Sequence, residues 1–253
     1  MRSWTVIALV AALVAAGCGG GVLKKQYEYE EELYLALDGS ATLNVNASVP
    51  ALVALRGANL NVSPRARFER ERLRSFFEGP GATVAALSSS RRYGRRFVHV
   101  SVNVADVRLL QGLVPFAWSS YRFDRDGDVF RFRQAVGTSA GRPVGDVGWD
   151  GRELIAFRIH VPSKITFHNT PSHREQRGNI LEWEQPLADR LHGTPIDIQA
   201  QMATQSILAR TLLLFGSTMV AAFLTLAAVS WWVSRRGRDS DISGQPAAGS
   251  GQS

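Results

Sequence analysis

The stretch YEYEEELYLALDGSATLNVNAS (residues 27–48) decides the fold class. Tyr27, Tyr29, Leu33, Leu35 and Leu37 fall on odd positions, the two-residue period of a half-buried strand. Ala41, Leu43, Val45 and Ala47 then alternate with Thr42, Asn44, Asn46 and Ser48. Asp38-Gly39 between the runs is a turn dipeptide, so the segment is predicted to be a β-hairpin.

Strand and turn signals continue downstream. Thr83–Arg92 and Arg96–Val104 flank Tyr93-Gly94, and Trp118–Phe123 and Val129–Val136 flank residues 124–128. Leu154–Val161, Ile165–His168, Ile180–Trp183 and Ile196–Met202 read as further strands. Helices are expected over Pro50–Leu55, Pro64–Glu78, Asp106–Leu113 and Pro186–Leu191. The second opens with Ser63-Pro64 and stops before Gly79-Pro80-Gly81. Gly137–Gly151 holds five glycines and no apolar run, and is expected to be a mobile loop. The fold class is therefore α+β: an antiparallel-sheet domain with a few short helices. A hydrophobic content of 45% supports a real core and excludes a wholly disordered chain. One cysteine excludes a disulfide framework and a Cys-rich zinc site.

The two ends place the domain. Residues 1–18 carry Arg2, a short apolar run from Trp4 to Ala16, and then Gly17-Cys18. This is a signal peptide whose end is similar to a bacterial lipobox, with Cys18 as the candidate lipidation site. An ordinary signal peptide with an incidental Cys18 is the alternative. Residues 206–234 are expected to be a transmembrane helix. The run Thr211–Ser234 has no charged residue and ends in Trp231-Trp232. Arg235, Arg236 and Arg238 follow it, against Arg210 alone before it, which places residues 235–253 in the cytoplasm as a disordered tail. Residues 19–205 then form an extracytoplasmic domain at the cell membrane.

Chemistry is harder to find. Asp124, Asp126 and Asp128 suggest calcium, but Val129 and Ala135 stand where an EF-hand loop needs Gly and Glu. His99, His160, His168, His173 and His192 show no metal-ligand spacing. Gly137-Thr138-Ser139-Ala140-Gly141 matches a nucleophile elbow in letters, with no helix after it. No cofactor, metal or catalytic constellation is expected, and an enzyme is the last of the readings. Charge says more: from Arg56 to Arg96 there are ten arginines against Glu69, Glu71 and Glu78. Nucleic acid is not an available partner outside the cytoplasm, whereas anionic lipid or envelope polymers are. Arg91, Arg92, Arg95 and Arg96 flank the Tyr93-Gly94 turn and are the candidate contacts with an anionic surface. The bland alternative is a solvated helix with Glu69–Arg72 and Glu71–Arg74 pairs. An adaptor for another membrane protein is the other reading, with Gly216, Ser217, Ala221 and Ala222 allowing close helix approach.

Pro162-Ser163-Lys164-Ile165, His168-Asn169, then Gly178-Asn179-Ile180-Leu181-Glu182-Trp183 precede the apolar helix and Arg235-Arg236. With the Cys18 start and the early hairpin, this pattern resembles the LppM-type bacterial envelope lipoproteins. The resemblance implies a lipobox, an exported α+β domain, one C-terminal transmembrane helix and a non-enzymatic envelope role. For a mycobacterial member it implies binding of membrane glycolipids. No site residue carries over. Trp183, between Glu182 and Glu184, is expected to be a core anchor.

Overall fold

The computed structural model describes residues 25–172 and 179–241. The signal segment with Cys18, His173, Gly178 and the tail beyond Asp241 lie outside them.

Strands β1 (Tyr27–Leu35) and β2 (Ala41–Ser48) form the expected hairpin, with Leu33 opposite Leu43 and Leu35 opposite Ala41. Helix α1 (Val49–Arg56) leaves β2 at once. The Ser48 hydroxyl accepts the Ala51 N–H, Pro50 occupies the first turn, and Gly57 ends the helix at a φ of 70°. Every residue of α1 is buried, which follows from its almost unbroken apolar sequence.

Strands β3 (Ala82–Arg92) and β4 (Arg95–Val104) meet at Tyr93-Gly94, and β4 also pairs with β2. Strands β5 (Ser119–Asp126) and β6 (Val129–Val136) form the second hairpin. Strands β7 (Leu154–His160), β8 (Ser163–His168), β9 (Ile180–Pro186) and β10 (Ile196–Ser206) complete two sheets. The six-stranded sheet has the order β3-β4-β2-β1-β7-β9, and the four-stranded sheet β5-β6-β10-β8. Strands β1 and β7 pair in parallel, whereas β1–β2, β2–β4, β3–β4, β5–β6, β6–β10 and β7–β9 are antiparallel. Two residues separate β7 from β8, yet the strands lie in different sheets. Pro162 has no N–H to continue the ladder, so the chain leaves one sheet there and enters the other.

One cluster of buried side chains draws on both sheets, with Leu33, Val100 and Phe157 from the first and Phe123, Phe132 and Ile198 from the second. Trp183 belongs to it and donates its indole N–H to Asn169 Oδ1, as a core anchor should.

Two expectations for the sheet domain need correction. The helix predicted over Pro64–Glu78 forms only as α2 (Arg70–Phe77). The inward-facing residues, Leu73 and Phe77, lie in the second half of the predicted span, while Arg65 and Arg67 are exposed. The Ser63-Pro64 start signal therefore has no apolar face to extend. The glycine-rich stretch 137–151 has no regular structure but is held at several points. Ala140 N–H reaches Leu55 O, Trp149 Nε1–H reaches Glu28, and Arg95 binds the Val147 and Gly148 carbonyls.

Residues 25–204 form one compact unit and the chain from Gln205 another. The second is helix α4 (Ile207–Asp241). Its span Thr211–Val233 has a mean hydropathy of 2.2, and none of it is buried within the protein. Twenty-three helical residues cover about 35 Å, enough to cross roughly 30 Å of hydrocarbon. The helix does not stop at Ser234 but continues through Arg235 and Arg236 to Asp241, because arginine is a good helix former. The disordered tail expected from residue 235 is therefore helical in its first turns. A short helix α3 (Leu187–Leu191) precedes β10.

Candidate functional site: an arginine surface, a buried charge cluster and a polar sheet face

Tyr93 and Gly94 both have positive φ, 51° and 71°, the signature of a two-residue type I′ turn. The turn exposes Arg91, Arg92 and Tyr93. It does not expose all four arginines. Arg95 is buried, and its Nη2 lies 2.8 Å from the Glu28 carboxylate, itself fully enclosed. Arg96 is half-buried, and its Nη2 donates to Ala66 O at 2.7 Å. The candidate surface thus keeps Arg91 and Arg92, loses Arg95 to the interior, and uses Arg96 as a tie.

That tie joins two arginine runs. Arg65 and Arg67 flank Ala66, so the Arg96 bond sets them beside the β3–β4 hairpin. Arg72 pairs with Glu69 and Arg74 with Glu78. Among the described residues no carboxylate pairs with Arg65, Arg67, Arg70, Arg91 or Arg92. Arg92 lies over the Phe97 ring, 4.4 Å from its centroid, and Arg70 near Phe68. The Glu71–Arg74 pair expected from spacing does not form; Arg74 turns to Glu78 and the Val84 carbonyl. Beside this surface, a cavity of about 210 Å3 opens between Leu60, Leu73 and Phe76.

A second cluster lies inside. Glu31 occupies an odd position of β1, among the apolar residues, and is buried. Its Oε2 takes bonds from Arg56 Nη2 and Tyr29 Oη, both at 2.7 Å, and its Oε1 from Tyr121 Oη and Gln134 Nε2. Burial, and then the charges of Arg56 and Glu31, act on the Tyr29 hydroxyl, whose pKa is raised well above its ordinary value. Tyr121 is raised in the same way, by burial first. The Arg56 guanidinium stacks on the Trp118 ring, 3.2 Å from its centroid. Arg190 of α3, wholly buried near Trp118, has one long bond to Val136 O and no carboxylate partner among the described residues. Burial, helped by the Arg56 charge, lowers its pKa. The sequence signal for the cluster was Glu31 interrupting the alternation at 29, 33 and 35.

The outer face of the six-stranded sheet is polar. Arg158 bridges Glu30 and Glu182, and His160 Nε2 lies 2.6 Å from Glu32 while its ring stacks on Tyr34. His99 Nδ1 lies 2.7 Å from Asn46 Oδ1, and its Nε2 lies 2.8 Å from Ser90 Oγ. Burial, then Arg92, lowers the His99 pKa, and Glu30 opposes them weakly. A groove of about 230 Å3 runs beside it, lined by Glu32, Asn44, Asn46, Ser88, His99 and Ser101. The other sequence candidates stay apart from it. Ser139 lies in the 137–151 stretch with no helix after it, His168 Nδ1 bonds Thr170, and His192 caps α3. Asp126 pairs with Arg131 across the β5–β6 turn.

No family model matches the chain, and no curated protein matches it. Among solved structures it is similar to the NMR structure of the folded domain of Mycobacterium tuberculosis LppM. The match has 11% identity, covers 72% of this chain and 94% of that one, and has a TM-score of 0.37. At that score the two folds agree in coarse outline only.

Proposed function

We propose that the chain is a single-pass membrane protein of the bacterial envelope. In this reading the 25–204 unit lies outside the cytoplasm and binds anionic lipid headgroups through Arg65, Arg67, Arg91 and Arg92. The observation that carries it is the Arg96–Ala66 bond, which gathers Arg65 and Arg67 with Arg91 and Arg92 into one surface without carboxylate partners among the described residues. A solvated structural surface would interleave acids, as the Arg72–Glu69 pair does. Each such cation adds about 1 kcal/mol near an anionic membrane. Tyr93, exposed at the turn, has an amphipathic ring suited to the headgroup layer. The apolar, unburied span Thr211–Val233 follows β10 directly in the chain and provides the anchor.

Sedimentation of the 25–204 unit, which carries its own core, with anionic and neutral liposomes tests the reading. Binding is expected to the anionic liposomes alone and to fall as salt rises, since exposed charges are screened over about 8 Å at physiological ionic strength. Equal binding to neutral liposomes, or none to either, overturns it. Binding to an anionic polymer but to no liposome moves the site from lipid to an envelope polymer.

A further inference from the structure

We propose that Ser90, His99 and Asn46 form a nucleophile, base and orienter, and that the outer sheet face cleaves short-chain esters of polar alcohols. The three residues come from three adjacent strands, β3, β4 and β2, and only the strand register brings them together. Asn46 stands directly opposite His99, and Ser90 lies on the diagonal beyond the Ser88–His99 pair.

The hydrogen bonds run in the sense that acyl transfer needs. Asn46 Oδ1 can only accept, so His99 Nδ1 carries the hydrogen at 2.7 Å. This leaves the Nε2 lone pair to accept the Ser90 hydroxyl at 2.8 Å. A histidine held neutral by burial and by the Arg92 charge stays available as a base at neutral pH. Glu30, paired with Arg158, is the opposing charge, on β1 beyond β2.

The surroundings supply the other parts. β3 is an edge strand, and the type I′ turn makes Arg92 and Arg95 a hydrogen-bonded pair. By alternation Ser90 N–H faces β4, while the N–H groups of Ser89 and Arg91 face the free edge. Arg91 N–H, next after the nucleophile, and the Arg92 guanidinium are the candidate stabilisers of an oxyanion. The groove beside His99 is lined by Asn44, Ser88, Ser101 and Glu32, groups that suit a hydroxyl-rich alcohol rather than a long apolar chain.

The step balances. As Ser90 Oγ adds to the ester carbonyl carbon, His99 Nε2 takes its proton. The adduct collapses, the C–O bond to the alcohol breaks, and the leaving alkoxide takes the proton from His99. Water, deprotonated by the same nitrogen, then releases the acid and restores the Ser90 hydroxyl. Ser90 and His99 are catalytic residues in this scheme, and Asn46 is a positioning residue.

The test uses the full chain in detergent micelles, a fluorophosphonate probe, and p-nitrophenyl acetate as the ester. Peptide mapping is expected to place the phosphonyl group on Ser90. Labelling and ester turnover are expected to fall at least tenfold in His99→Gln and to vanish in Ser90→Ala. In Asn46→Ala the rate is expected to fall and its pH midpoint to move, with partial rescue by Asn46→Asp. The parent alone gives a second readout: labelling that rises through a midpoint below the ordinary histidine value of about 6.5. Absence of label on Ser90 in the folded parent overturns the proposal. So does labelling that does not respond to pH between 4 and 8, or that is equal in a folded His99→Gln chain; these leave a polar cross-strand ladder. The variants at Ser90, His99 and Asn46 leave Arg65, Arg67, Arg91 and Arg92 in place, so these outcomes are read independently of liposome binding, although Arg91 and Arg92 belong to both proposals.

Discussion

Glu31 Oε2 and Arg56 Nη2 lie 2.7 Å apart with almost no side-chain exposure on either. The pair closes the space between β1 and α1, and Tyr29, Tyr121 and Gln134 fill the remaining lone pairs of the carboxylate. A buried ion pair adds little against an apolar replacement, but removing one partner strands the other charge. Glu31→Gln is therefore expected to cost about 3–5 kcal/mol, read as a lower denaturant midpoint with unchanged slope. The double variant Glu31→Leu/Arg56→Met is expected to recover most of that loss. A Glu31→Gln chain as stable as the parent refutes the role given to the pair.

Arg190 presents the opposite case. It is enclosed completely, its pKa is lowered by burial and by Arg56, and no carboxylate meets it among the described residues. Its charge opposes folding, while its methylene stem packs usefully. Arg190→Met keeps the stem and removes the charge, and is expected to raise stability by about 1 kcal/mol or more. A lower melting temperature for Arg190→Met would count against this account.

Histidine 99 sets a pH dependence of known sign. Its pKa is lowered in the folded chain, so the unfolded chain binds the proton more readily. Its contribution is complete above the unfolded value of about 6.5 and is lost as pH falls from there towards the folded value. Between pH 8 and 5 the parent is expected to lose more stability than His99→Gln. The lowered carboxylates, Asp38, Asp106, Asp150, Asp197 and Glu184, act further down, below about pH 4.5, and leave this window clear. An NMR titration of the His99 ring with a midpoint at or above 6.5 would contradict it.

Local signals carried the sequence reading well and long-range ones did not. The alternation of residues 41–47 and the Asp38-Gly39 and Tyr93-Gly94 turns are properties of neighbours, and both hairpins formed where expected. The Ser63-Pro64 start signal is equally local, but a helix needs an apolar face as well as a cap, and Arg65 and Arg67 have none to offer. Arg95 looked exposed because no acid stands near it in sequence; Glu28, its partner, is 67 residues away. Ser90, His99 and Asn46 fit no motif for the same reason, since only sheet register brings them together.

Orientation is open to a direct measurement. The arginines after the apolar span outnumber those just before it, so residues past 241 are expected in the cytoplasm. An alkaline phosphatase fusion after residue 200 is expected to be active and one after residue 245 inactive. The reverse pattern would remove the anionic outer surface from reach and with it the proposed function.

The arginines themselves separate binding from folding. Among the described residues Arg65, Arg67, Arg91 and Arg92 have no carboxylate partner, so replacing all four by serine is expected to cost little beyond the Arg92–Phe97 stack, about 1 kcal/mol, or about 2–4 °C in melting temperature. Binding to anionic liposomes at physiological salt is expected to fall by at least tenfold, because four cations at about 1 kcal/mol each are lost. Arg95→Ser is the contrasting change. Among the described residues it leaves buried Glu28 with the Trp149 indole and a long Gln26 contact, at an expected cost of about 3–5 kcal/mol. Under conditions where Arg95→Ser remains folded, its liposome binding is expected to match the parent. If the quadruple serine variant binds as well as the parent, the surface arginines only solvate the domain. If Arg95→Ser loses binding while folded, the contact surface lies nearer the 146–150 stretch than the Arg96–Ala66 tie implies.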